Sequence, residues 1–171
     1  MEEHLASATR PNRRIALLRA AFAACAPLLV AGCRGFDHPE IRDVLDAQVQ
    51  AWNAGDIDGF MSHYWKSDQL TFVSTHKEDD PATGTARDVS KTTRGWQATL
   101  NRYRRRYPTP EAMGRLTFTH LKIARTDDEA MDLSGRFHLS RQAGPLSGRF
   151  FLKMRRINGK WVITRDHTVA D

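Results

Sequence analysis

From Arg115 onward the chain reads as strand after strand, and that run narrows the fold more than any other feature. Segments 115–124, 130–141, 148–156 and 161–169 are rich in aromatic and branched residues and are separated by turn-forming residues. The last two meet at Asn158-Gly159, a pair that accepts the positive φ a two-residue hairpin turn demands. Phe150, Leu152 and Met154 alternate with Phe151, and Trp161 and Ile163 alternate with Val162. Antiparallel strands with one solvated face show cleaner alternation, so both faces are expected to be covered. The upstream helices cover one face; a second copy of the chain is the simplest cover for the other, which predicts a homodimer.

The upstream half is helical. Asp37-His38-Pro39-Glu40 reads as a capping box, and Ile41, Val44, Leu45, Val49 and Trp52 then recur at helical spacing. In AWNAGDIDGFMSHYW, Gly55 can take the left-handed conformation that closes this helix, and Asp56 can cap a second one. Ile57, Phe60, Met61 and Tyr64 share a face of that second helix, which makes most of these aromatics packing residues. Residues 70–74 read as a strand, and 75–90, polar and aperiodic with Gly and Pro, as a loop. Residues 95–108 form a third helix that turns Trp96, Leu100, Tyr103 and Tyr107 inward and stops at Pro108. Helices first and strands later predict an α+β fold, in one domain from residue 38 to residue 171.

The first 32 residues have a different character. Arg10, Arg13, Arg14 and Arg19 flank the apolar run AAFAACAPLLVAG, too short for a stable transmembrane helix but suited to a signal peptide. Val30-Ala31-Gly32-Cys33 resembles a bacterial lipobox, which implies acylation at Cys33 and a short tether at 33–37; the alternative is an ordinary signal peptide with a chance cysteine. Arg34 stands where an inner-membrane retention aspartate is often found, so the expected location is the outer membrane, facing the periplasm. With Cys25 removed and Cys33 acylated, no thiol remains for a disulfide, a thiolate metal site or a cysteine nucleophile. Removing four arginines and two glutamates lowers the net charge from +6 to +4. That moderate basicity suits anionic lipid at least as well as nucleic acid, and the export signal argues against nucleic acid as a partner.

AWNAGDIDGF, the Tyr64-Trp65 pair, TRGWQATLNRYRRRYP and WVITRDHT resemble the SnoaL-like, ketosteroid-isomerase-like bacterial domains of the nuclear transport factor 2-like superfamily. The resemblance extends from about His38 to the C-terminus. It implies a cone-shaped α+β fold, with three N-terminal helices packed on a strongly curved, mostly antiparallel sheet. It says little about chemistry, because the scaffold hosts isomerases, dehydratases, cyclases and binders alike. Counted from the shared Asn-Ala-Gly-Asp turn, the isomerases' tyrosine falls at Gln48 and their catalytic base at Phe72. A phenylalanine cannot abstract a proton, so steroid isomerase activity is not expected.

The remaining candidates are pocket residues. Cone folds leave a cavity at the open end, and Gln48, Trp65, Arg94, Tyr103 and His138 are the residues expected to reach it. His138, Asp166 and His167 are candidate general acids or bases, although strand neighbours such as Asp166 and His167 point to opposite faces. His63, His76, His120 and His138 lack paired metal-ligand spacing, and no phosphate loop or dinucleotide fingerprint occurs, so neither metal nor cofactor is implied. The expected function is small-molecule binding by a lipid-anchored envelope domain. An enzyme using the same pocket, or a module binding another envelope protein, are the alternatives.

Overall fold

The computed structural model describes residues 38–171. The expected signal peptide at 1–32, Cys33 and the expected tether at 33–37, Asp37 included, lie outside these residues. Helix α1 (Pro39–Asn53) has His38 at its N-cap and Pro39 in the first turn, and among the described residues no side chain makes a capping hydrogen bond there. This corrects the capping-box reading: with His38 at the cap, Glu40 stands one position too early to close a box. The helix buries Ile41, Leu45, Gln48 and Trp52. Gly55, at φ 77°, turns the chain, and a Cβ there would also sit 2.8 Å from Pro110, so glycine is required twice over. Helix α2 (Ile57–Met61) is capped by Asp56, whose carboxylate accepts from the Gly59 N–H at 2.8 Å.

Strands β1 (Thr71–Asp79) and β2 (Ala86–Arg94) follow, paired antiparallel from Thr71↔Arg94 to Asp79↔Ala86. The expected loop at 75–90 is therefore mostly a hairpin, and only its tip is a turn. There the Asp80 carbonyl accepts from Gly84 at 2.7 Å, and Gly84 has φ 66°. The polar, aperiodic sequence has a physical cause. This hairpin projects at the sheet edge, where much of β1 and all of β2 escape full burial, so no apolar alternation is required.

Helix α3 (Trp96–Arg106) packs Leu100 and Thr99 inward, and a short α4 (Pro110–Met113), absent from the sequence reading, contributes Met113 to the core. Strands β3 (Arg115–Asp127), β4 (Ala130–Ser140), β5 (Leu146–Ile157) and β6 (Lys160–Ala170) confirm the expected strand run, each within a few residues. The sheet order is β2-β1-β6-β5-β4-β3, with β1–β6 its parallel pair. Register shifts in β3 between Thr119 and Lys122, and between β5 and β6 near Lys153, mark bulges that bend the strands into a curved sheet. His120 takes φ 53° at the first bulge. The result is the α+β cone architecture, with its core between the helices and the concave face of the sheet.

Gly148 shows how tightly that face is built. A Cβ there would lie 2.1 Å from the Val169 carbonyl oxygen and 2.7 Å from the Phe137 ring, so the aromatic packs directly on the backbone. The opposite face of β5 is less apolar than expected. Phe150, Leu152 and Met154 are buried, whereas Phe151 is 45% exposed among the exposed Arg149, Lys153 and Arg155. Phe151 is thus the one exposed large hydrophobic side chain of this strand.

Candidate functional site

The concave face and the helices enclose a cavity of about 680 Å³. Its construction starts on α1, where Gln48 occupies the same stripe as Ile41, Leu45 and Trp52. Gln48 is 1% exposed and lines the cavity, and its amide Nε2 has no hydrogen-bond partner among the described residues. A buried donor left unpaired costs free energy on the order of 1–3 kcal/mol, so this amide is poised for an acceptor inside the cavity.

The second polar group comes from two distant segments. Beyond α2 the chain runs beside β6: Ile163 N–H donates to the His63 carbonyl and Trp65 N–H to the Ile163 carbonyl, both at 2.9 Å. This pairing brings Tyr64 within reach of Asp166, whose Oδ2 accepts from the tyrosine hydroxyl at 2.7 Å. Thr168 donates to Oδ1 at 3.0 Å. Asp166 is 4% exposed. Burial raises its pKa to about 6, against the opposing effect of the two donated hydrogen bonds. Burial also pushes Tyr64 and Tyr103 well above the ordinary tyrosine value, reinforced by the Asp166 charge. At neutral pH the aspartate is thus close enough to its pKa to give or take a proton, while both phenols remain donors.

Aromatic rings form the rest of the wall. Trp52 meets Phe60 and Tyr107 edge-on at centroid distances of 5.0 and 4.9 Å, and its Nε1 donates to the Met113 carbonyl at 3.2 Å. Tyr103 packs on Phe72 at 5.5 Å. Phe118 and Phe150 meet at 4.9 Å on the sheet side. Arg102 reaches back from α3, donating to Ser74 Oγ and to Thr93 Oγ1, with its guanidinium 5.1 Å from the Phe72 ring centre.

Of the residues singled out from sequence, Gln48, Tyr103 and Asp166 converge on this cavity. Trp65, Arg94, His138 and His167 do not line it. Trp65 is half-buried beside β6, tied there through its backbone. Arg94 is exposed where β2 ends, and His138 is exposed on β4, where the inward neighbours Phe137 and Leu139 take the wall positions. His167 points away from Asp166, as strand alternation requires, and its Nε2 lies 3.0 Å from Thr75 Oγ1. Tyr64 and Arg102 are among the polar lining residues that sequence reasoning missed, with Lys91, Arg105 and Arg106. Tyr64 fits an apolar stripe, and nothing local announces a hydroxyl partner 102 residues away. For Arg102 a signal existed: it lies about 60° around the helix from Thr99, which is fully buried. Among the described residues no three His, Cys, Asp or Glu side chains come together as a metal-ligand set.

No protein-family model and no curated protein matches the chain. Solved structures do. An NTF-2 like protein of unknown function from Shewanella oneidensis MR-1 shares 34% identity over 77% of this chain and 97% of its own, with a TM-score of 0.65. The chain belongs to the NTF2-like family. Two more distant likenesses concern the fold alone. A protein of unknown function with a cystatin-like fold from Nostoc punctiforme PCC 73102 is 13% identical, with 80% and 92% of the two chains covered and a TM-score of 0.59. A candidate scytalone dehydratase from Novosphingobium aromaticivorans DSM 12444 is 9% identical, with 78% and 83% covered and a TM-score of 0.54. The NTF2-like scaffold accounts for the cone and its cavity; the polar groups inside it must be read from this chain's own residues.

Proposed function

We propose that this NTF2-like chain holds a small molecule in the cone cavity, and that it does so as a lipid-anchored domain of a bacterial envelope. The observation that carries the binding reading is the unpaired Gln48 amide in a ring-lined space of about 680 Å³. An apolar body would occupy the aromatic walls while an acceptor meets Gln48. The anchor and the envelope location rest on the lipobox-like Val30-Ala31-Gly32-Cys33 and the basic, apolar leader before it. Calorimetric screening of the purified chain against aromatic and alicyclic carbonyl compounds tests the binding reading. Hits should lose affinity about tenfold in Gln48→Met, the equivalent of one neutral hydrogen bond. Hits indifferent to that change would remove Gln48 from the site.

A second reading, catalysis, has one specific support. Phe72, at the position where steroid isomerases carry their base, is the register partner of Asp166 on β6. A carboxyl group therefore stands one strand away from that position, with a pKa near 6 and a tyrosine donor attached. Asp166 is the general acid or base this reading requires, in place of His138 or His167. If a bound compound is also turned over, Asp166→Asn should lower the rate at least about 100-fold while binding stays within a few-fold. Turnover that survives the substitution would exclude Asp166 from the chemistry.

A further inference from the structure

The cavity is electrostatically one-sided. Gln48 and Asp166 are buried, at 1% and 4% exposure, whereas Lys91, Arg105 and Arg106 line the same cavity as exposed side chains. These cations are contiguous. Lys91 is the register partner of Ser74, Ser74 accepts from Arg102, and Arg105 and Arg106 lie one helical turn beyond Arg102. Arg102 is bonded to two neutral hydroxyls, and Lys91, Arg105 and Arg106 make no ion pair with a described residue. Arg104, by contrast, turns away and is paired with Asp58 at 2.7 Å. His76 also lines the mouth and is held by Glu78 at 2.7 Å. Among the described lining residues Asp166 is the only carboxylate, and it belongs to the buried group with Tyr64. Four cations without a counter-charge, gathered where an aromatic cavity opens, favour an anion at that position and disfavour a cation.

We infer that the cavity takes an amphipathic organic anion, with a ring-bearing apolar body inside and a carboxylate or phosphate monoester held at the Lys91, Arg102, Arg105 and Arg106 mouth. This rests on the reading of the cavity as a small-molecule site and adds the charge and orientation of its occupant. The guanidinium of Arg102 on the Phe72 face joins the two halves, because it borders both the ring-lined interior and the basic mouth. The hydroxyls of Ser74 and Thr93 hold that guanidinium in place, so little side-chain freedom is lost when an anion meets it.

The test is calorimetry on the full chain with probes that share one naphthalene body: 2-naphthoate, 2-naphthyl phosphate, 2-naphthamide and 2-naphthylmethylammonium. The anions should bind about tenfold tighter than the amide, and the ammonium probe weakest, as expected for charges a few ångströms apart at a screened rim. The preference should shrink in roughly 0.5 M salt, and in the double variant Lys91→Gln, Arg105→Gln. Both substituted positions are exposed, and circular dichroism checks that the variant is folded. The order of naphthoate and naphthyl phosphate tells which anion the mouth fits. If the amide binds as tightly as both anions, or if the double variant keeps the full preference, the inference is overturned while the cavity reading stands. If none of the probes binds, the cavity reading itself fails.

Discussion

Asp166 is buried away from the water an aspartate ordinarily meets, and its stability signature has a definite sign. Its pKa is raised from 3.8 to about 6, so between those values the folded chain holds a proton that the unfolded chain has released. Stability from this group is therefore greatest below pH 4, declines as the pH rises to about 6, and levels off above, a loss on the order of 3 kcal/mol at most. Asp166→Asn keeps an acceptor for Tyr64 and removes the ionisation. Urea unfolding should find the variant level with the parent near pH 4 and more stable than it at pH 8; equal stability at both values would mean the carboxyl is not perturbed. Gln48 obeys related logic. Gln48→Met replaces an unpaired buried amide by an apolar chain of similar shape, and should stabilise the empty protein by about 1 kcal/mol while weakening ligand binding. Trp65 gives the contrast: as it does not line the cavity, Trp65→Ala should leave calorimetric affinities unchanged.

At the level of elements, the α1–α2 corner and α3 close the cone over the sheet. Trp52 carries that closure, 3% exposed and in ring contact with Phe60, Tyr103 and Tyr107. Trp52→Ala should cost about 3–5 kcal/mol, as large truncations in a core do, and thermal unfolding measures it directly. A loss below about 1 kcal/mol would mean that the three rings collapse into the space. Helices α1 to α3 were legible in the sequence through their apolar stripes, and the last four strands through runs of aromatic and branched residues bounded by turn formers. The β1–β2 hairpin was not, because an edge hairpin with little burial carries no such pattern. Short α4 was missed for a similar reason: its four residues span little more than one turn, too few to show a period.

For the molecule as a whole, the proposed anchor predicts that Cys33→Ser releases the protein from the membrane fraction or blocks its processing. Unchanged membrane retention with a normal mature mass would rule the anchor out. The proposed homodimer through the outer face of the sheet now depends on Phe151, the one large hydrophobic side chain among the described residues that is exposed. Its neighbours Arg149, Lys153 and Arg155 would repel their copies across such an interface, so association should strengthen with salt. Sedimentation at micromolar concentration should show dimers that Phe151→Asp converts to monomers; a monomer at every salt concentration would remove the outer face as an interface.

Periodicity and turn chemistry are local, and wherever a residue's role depended on them the sequence alone determined it: the stripe of α1, the Gly55 corner, the Asp56 cap, the Asn158-Gly159 hairpin and the opposed directions of Asp166 and His167. The resemblance carried by those segments was enough to place Gln48 and Tyr103 in a pocket. What only the tertiary structure decided are the pairings across the chain. Tyr64 meets Asp166 because the segment after α2 docks beside Ile163, and Arg102 meets Ser74 because α3 packs against the β1–β2 hairpin. Those contacts join residues far apart in the chain, and no local pattern encodes a partner at that distance. The same limit explains His138 and Arg94, whose residue types suit a pocket but whose positions leave them in solvent. A side chain's chemistry is written in the sequence, whereas the medium around it is set only when distant segments close over it.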